Sequence, residues 1–163
     1  MFAALPDNLE LTMSRSGYTE YCEGWDLIRW RGAVASALRG KRGQAFLREA
    51  VAALDALPVA ELITNDLAAE GAFCTLGAVG RARSLAMSSV DPEDHHSVAG
   101  LFAIPHALAC EIMWENDEGG WNETPHARWE RMRRWIVRNL RDDQPVSVGP
   151  GSEGEAEAPG GTQ

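Results

Sequence analysis

The sequence predicts a mainly α protein, a compact bundle of about five helices with a short strand or irregular segment at 59–84 and a disordered C-terminal tail. Three observations predict it. Apolar residues recur at three-to-four spacing through several segments. Glycine and proline fall between those segments, where helices stop and start. From Asp142 onward the pattern gives way to Gly, Pro, Ser, Glu and Ala.

The first helix is expected over Trp25 to Arg39, with Leu27, Trp30, Val34, Ala37 and Leu38 inward and Gly40 as a left-handed cap. The second is expected over 44–57, with Phe46, Leu47, Ala50, Val51, Leu54 and Leu57 inward and Pro58 stopping it. Over 59–84 the signals conflict. Ala60 to Thr64 reads as a short strand, while Phe73, Leu76, Val79 and Ala82 support a helix over about 72–84. Asp91 and Pro92 suit the cap and first position of a further helix carrying Val98, Leu101 and Phe102. Pro105 opens the next, 105–117, with Leu108, Ala109, Ile112 and Met113 inward. Thr124 and Pro125 open the last, 125–141, striped by Trp129, Met132, Ile136, Val137 and Leu140.

Residues 1–24 show no period and are expected to be poorly ordered apart from docking by Phe2, Leu5 or Tyr18, and Met13 is a second candidate start. The domain is expected over 25–141, and 142–163 as a disordered acidic tail. Length and a 45% apolar composition suffice for one folded core. The sequence carries no apolar run of membrane-spanning length and no secretion-signal pattern. Cys22, Cys74 and Cys110 are isolated and odd in number, which suits reduced thiols. A cytoplasmic location is the expectation.

The net charge of −9 conceals segregation. Residues 25–50 carry +4, 91–118 carry −7, 128–141 carry +5 and the tail −5. Glu111 and Glu115 are like charges one helical turn apart, and Glu115, Asp117 and Glu118 crowd the negative end of the helix dipole. Something should offset them. One reading is the arginine-rich last helix, with Arg128, Arg131, Arg133, Arg134, Arg138 and Arg141, lying antiparallel beside them. The other is a partner recruited to the acidic end. Trp121, in a glycine-rich loop beside it, is a further contact candidate.

His95 to Ile112 resembles a helix-turn-helix, with Val98, Phe102, Ile104, Ala109 and Ile112 at the apolar offsets and small Ala99 and Ala103. The second helix would then present His106, Glu111, Glu115 and Asp117 to DNA, a surface that repels phosphate. Basic residues lie elsewhere. Arg39, Lys41 and Arg42 form a glycine-flanked loop before a helix start, a candidate anion or nucleic-acid site without the spacing of a phosphate-binding loop.

Neither a catalytic motif nor a cofactor motif is assigned. His106 and Cys110 share a helical face and His95 and His96 precede them, but the sequence shows no second pair of ligands, so no metal is assigned. No nucleophile elbow surrounds any cysteine.

Trp25-Asp26-Leu27-Ile28-Arg29-Trp30-Arg31-Gly32-Ala33, the stretch Arg39 to Glu49, Glu115-Asn116-Asp117-Glu118, and Arg128-Trp129 with Met132, Arg133 and Trp135 carry a resemblance. They resemble uncharacterised small proteins carried by bacteriophages and prophages of proteobacteria, over most of 13–140. The resemblance implies a phage context and expression inside a bacterial cell, and no activity. The expected function is that of a non-enzymatic, phage-type accessory protein that binds a host or phage protein, one version being an inhibitor of a host defence or nucleic-acid-binding system. The alternatives are a helix-turn-helix transcriptional regulator and a small metal-dependent enzyme.

Overall fold

The computed structural model describes residues 15–17 and 24–142. The order is α1 (Trp25–Arg39), α2 (Lys41–Asp55), β1 (Ala68–Ala69), β2 (Ala72–Phe73), α3 (Thr75–Ala82), a 3-10 turn (Met87–Ser89), α4 (His95–Phe102), α5 (His106–Glu118) and α6 (Pro125–Asn139). The protein is mainly helical, as the periodicity predicts. Phe2, Leu5, Tyr18, Cys22 and the tail beyond Asp142 lie outside the described residues.

Helix α5 is the axis. Leu108, Ala109, Cys110, Ile112 and Met113 are all buried along it, and α1, α3, α4 and α6 pack around it. Helix α2 contributes Phe46, Leu47, Ala50 and Leu54 to the same core, and α6 contributes Met132, Trp135 and Ile136.

Helices α1 and α2 are separated by Gly40 alone, with φ −67° and ψ 155°. Gly40 is therefore an extended break between two helices and not the left-handed cap expected. The second helix accordingly starts at Lys41, three residues early. Gly43 allows this tight corner: a Cβ there would meet the Ala37 carbonyl oxygen at 1.9 Å. Buried Gln44 then joins three chain segments. Its Nε2 donates to the Leu38 and Asn139 carbonyls at 2.7 and 2.9 Å, and its Oε1 accepts from the Arg141 amide at 2.8 Å.

The ambiguous stretch resolves differently from either expectation. Residues 60–64 form no strand; Leu62 and Ile63 instead donate backbone hydrogen bonds to Pro125 and Phe73. The strand pair is Ala68–Ala69 with Ala72–Phe73, turned by Glu70 and Gly71 at φ 52° and 82°. Two left-handed residues are what a tight hairpin requires. Residues 72–73 are spent on that pair, so the helix begins at Thr75.

The cap of α4 is Asp94, not Asp91. Its carboxylate accepts from the His96 and Ser97 amides and the Ser97 hydroxyl, and these bonds hold it below its ordinary range. Asp91 caps only a preceding turn, through the Glu93 amide. Thr124 caps α6 as expected, accepting from Ala127.

Some stripe residues fail their expectation, Ala82 at the end of α3 among them. Leu27 and Val137 are exposed, because the first half of α1 projects beyond the core and Trp135 takes the inward place on α6. Arg15 and Ser16, within the segment expected to be poorly ordered, are docked at 5% and 1% exposure.

Candidate functional site

Four groups of residues could carry chemistry or binding: the acidic end of α5, the helical corner at its other end, the basic α1–α2 junction, and the exposed start of α1.

The acidic end is neutralised from within. Asp117 pairs with Arg15 through two guanidinium nitrogens, Nη2 at 3.0 Å. Burial pushes the Arg15 guanidinium down, but Cys74 and Asp117 beside it reverse that and leave it raised. Glu115 lies 3.5 Å from Arg131, which also binds Glu123 through two bonds. Glu111 is buried, with Arg31 at 3.8 Å. The cations thus come from the N-terminal segment, α1 and α6; from α6, Arg131 pairs with Glu115 and Arg138 adds to the positive field on it. Glu111, Glu115 and Asp117, three of the partner-binding candidates, thus each have a cation within the chain. Glu118 and Trp121 remain exposed, Trp121 at 96%.

Between Arg15 and α5 lies a buried polar network the sequence did not reveal. Asn116 Oδ1 accepts from the Thr75 amide and hydroxyl at 3.0 and 2.8 Å, and its Nδ2 donates to Ile63 and Asp117. Cys74 caps α3, its sulfur accepting from the Gly77 amide at 3.4 Å.

The helix-turn-helix signal does correspond to a corner. Helices α4 and α5 turn by 109° through Ala103, which adopts φ 53°. A reading helix must offer a free face to the major groove. Helix α5 instead packs against α1, α3, α4 and α6 and buries Leu108 to Met113 and Asn116.

That corner gathers donors. His95, in the first turn of α4, and His106 and Cys110, one turn apart on α5, place their ligand atoms within 4.8 Å of one another. His95 Nδ1 is 2.5 Å from His106 Nε2, and Cys110 Sγ is 3.4 Å from the same nitrogen. His96 stacks on His106, with centroids 4.0 Å apart and planes 5° apart. Burial, then the neighbouring His96 and His95, push the His106 imidazole down, towards its neutral form. Burial, with Glu111 adding to it, pushes the Cys110 thiol up to about 12. Helical spacing pairs His106 with Cys110 but cannot show that the turn at Ala103 brings His95 back onto them.

His96 and His106 also line an open cleft of about 620 Å³ with Arg42, Phe46, Glu49 and Arg83. Arg83 is committed there, with two bonds to Glu49 and one to the Phe102 carbonyl. Arg39, Lys41 and Arg42 are all exposed, but they end α1 and begin α2 directly, and Gly40 alone stands where a glycine-flanked loop was expected at 39–44.

The start of α1 carries the remaining feature. Trp25, Leu27 and Ile28 are 76%, 38% and 61% exposed within one helical turn. Arg29 and Arg31 are exposed beside them.

No protein-family model, curated protein or solved structure matches the chain. Among the described residues, no single helix is long and apolar enough to cross a membrane.

Proposed function

We propose that the protein acts by binding another protein, through the projecting first half of α1. The observation that carries this reading is the exposure of Trp25, Leu27 and Ile28 together. Large apolar side chains scattered singly on a surface are ordinary; several in one turn of a helix, with a tryptophan among them, are typical of contact surfaces. Trp25 and Ile28 stand one turn apart and so share a face. The charge around them defines the partner's chemistry. Asp26, Arg29 and Arg31 beside them carry +1 net, with both arginines exposed, so the complementary surface is an apolar pocket with carboxylates facing Arg29 and Arg31. The resemblance to phage-carried proteins supports a partner that is a host or phage protein.

Binding then falls on an apolar face flanked by arginines rather than on the acidic helix end, where Glu111, Glu115 and Asp117 already have cations within the chain. Two substitutions test it, Trp25→Ala and Ile28→Asp, both on exposed positions that the core does not use. The wild-type protein is expected to retain a specific acidic partner from bacterial lysate at moderate salt. The double variant, with unchanged circular dichroism, is expected to lose it. Equal capture by both proteins, or recovery of nucleic acid instead of protein, would sink the reading.

A further inference from the structure

We propose that the corner between α4 and α5 is a transition-metal site, in which His95, His106 and Cys110 bind one zinc-type divalent cation. Nothing in the protein-binding reading requires it, and it stands on separate residues.

The geometry is that of a donor set. His106 and Cys110 are four residues apart on α5, the spacing that places two ligands on one helical face. The third donor comes from a different helix held at 109° by the turn at Ala103. Two imidazoles and a thiol are the donor types that zinc and its neighbours take, while calcium and magnesium take oxygen.

Distances agree with that chemistry. Around a tetrahedral zinc, with bonds of about 2.0–2.3 Å, adjacent ligand atoms stand roughly 3.3–3.6 Å apart. The His106–Cys110 separation of 3.4 Å already meets this. The His95–His106 separation of 2.5 Å is shorter. Two ring nitrogens that close cannot both present bare lone pairs to each other; a proton must lie between them, or a cation. A cation requires His95 to move back by somewhat under about 1 Å. His95 is in the first turn of α4, partly exposed, and a small side-chain rotation suffices.

The surroundings hold the ligands in place. The Nε2 edge of His95 lies against Gly17, where a Cβ would come within 2.8 Å. The Trp30 ring meets His106 edge-on at 6.0 Å. The N-terminal segment thus backs one ligand and α1 backs another, the kind of outer support metal ligands use. Three protein donors leave a tetrahedral ion one position for solvent or an exogenous ligand, and His106 also borders the open cleft. Binding displaces the thiol proton of Cys110 to solvent, with no change of oxidation state.

The test uses the full chain, stripped of metal with a chelator, and titrated with zinc by calorimetry and with cobalt(II) by absorption. One equivalent is expected to bind, with a zinc Kd below about 1 µM, and cobalt is expected to show a thiolate charge-transfer band. Cys110→Ser should remove that band. His95→Ala and His106→Ala should each weaken zinc binding by at least roughly tenfold. His126→Ala should leave it unchanged. Because Cys110 is buried, circular dichroism accompanies every variant, and His95→Ala, at a partly exposed position, keeps the test valid if Cys110→Ser does not fold. Failure to bind zinc at about 10 µM would overturn the proposal. So would undiminished binding in the His95 and His106 variants, which would place the ion elsewhere. None of these outcomes bears on the Trp25 and Ile28 experiment.

Discussion

Asn116 shows how one side chain can decide a local structure. Its amide uses every donor and acceptor it has, on Thr75, Ile63 and Asp117, inside a site only 1% exposed. Asn116→Ala would leave a buried amide, hydroxyl and carbonyl without partners, at about 1–3 kcal/mol apiece where they stay dry. A loss of about 3 kcal/mol or more, read from urea denaturation, is the expected outcome. Arg15 makes a related case. Arg15→Met would keep much of the packing and leave the Asp117 carboxylate buried and unopposed, for a loss of about 3 kcal/mol. If denaturation midpoints were unchanged, the Arg15–Asp117 pair would be ornamental. Neither residue was legible as structural beforehand. Asn116 and Asp117 sit 41 and 102 residues from the groups they bind, and no local pattern encodes a partner that remote.

At the scale of elements, the helices were legible and their junctions were not. Periodicity reports which face of a helix is oily, and α1, α5 and α6 fall within a residue or two of where it puts them. It does not report how closely a helix approaches the backbone it packs on. That is set by glycines such as Gly43 and Gly77, whose added Cβ would meet backbone oxygens of Ala37 and Leu67 at 1.9 and 1.7 Å. Gly77→Ala cannot be absorbed by a side-chain rotation, since the obstacle is backbone. It should cost more than the roughly 1–3 kcal/mol typical of overpacked cores and prevent α3 from docking, seen as lost near-ultraviolet dichroism. Gly32→Ala, which meets no atom within 4 Å, should be neutral or slightly stabilising by the same measurement. The start of α1 shows the limit of periodicity in another way. Leu27 fits the stripe, yet the core ends before reaching it. A stripe identifies an oily face and cannot say whether the same chain covers it.

For the whole molecule, the charge segregation read from the sequence is a map of internal pairing. Opposite blocks are joined by Arg131 with Glu115 and Glu123, and by Arg133 with Asp55. The bonds from Arg131 hold the Glu123 carboxyl below its ordinary range, and Arg133 does the same for Asp55. A depressed folded-state pKa gives stability that is present above the unfolded value and lost as pH falls through the folded one. Stability should therefore decline as pH drops below about 4, the ordinary carboxylate range. Glu115 acts in the opposite sense, because burial and then Glu111 push its carboxyl up, so its ionisation at higher pH costs stability. Urea midpoints across pH 3 to 7 would check the balance, and Arg131→Met should flatten the acid limb. The sequence foresaw α6 as the counterweight to the acidic helix; it missed Arg15 and Arg31, which arrive from elements far away in the chain. The donor cluster at the α4–α5 corner was half visible for the same reason. Helical spacing reveals His106 with Cys110, whereas His95 joins them only once the turn at Ala103 is made.

Gln44, clasping the ends of α1 and α6, has a practical corollary. The polypeptide is closed on itself by non-covalent stitches spanning nearly its full described length. A protease that cuts once in the exposed turn at 91–94, between α3 and α4, would sever the backbone without releasing either piece. The nicked material should elute from a sizing column as an intact species and separate into two fragments only in denaturant.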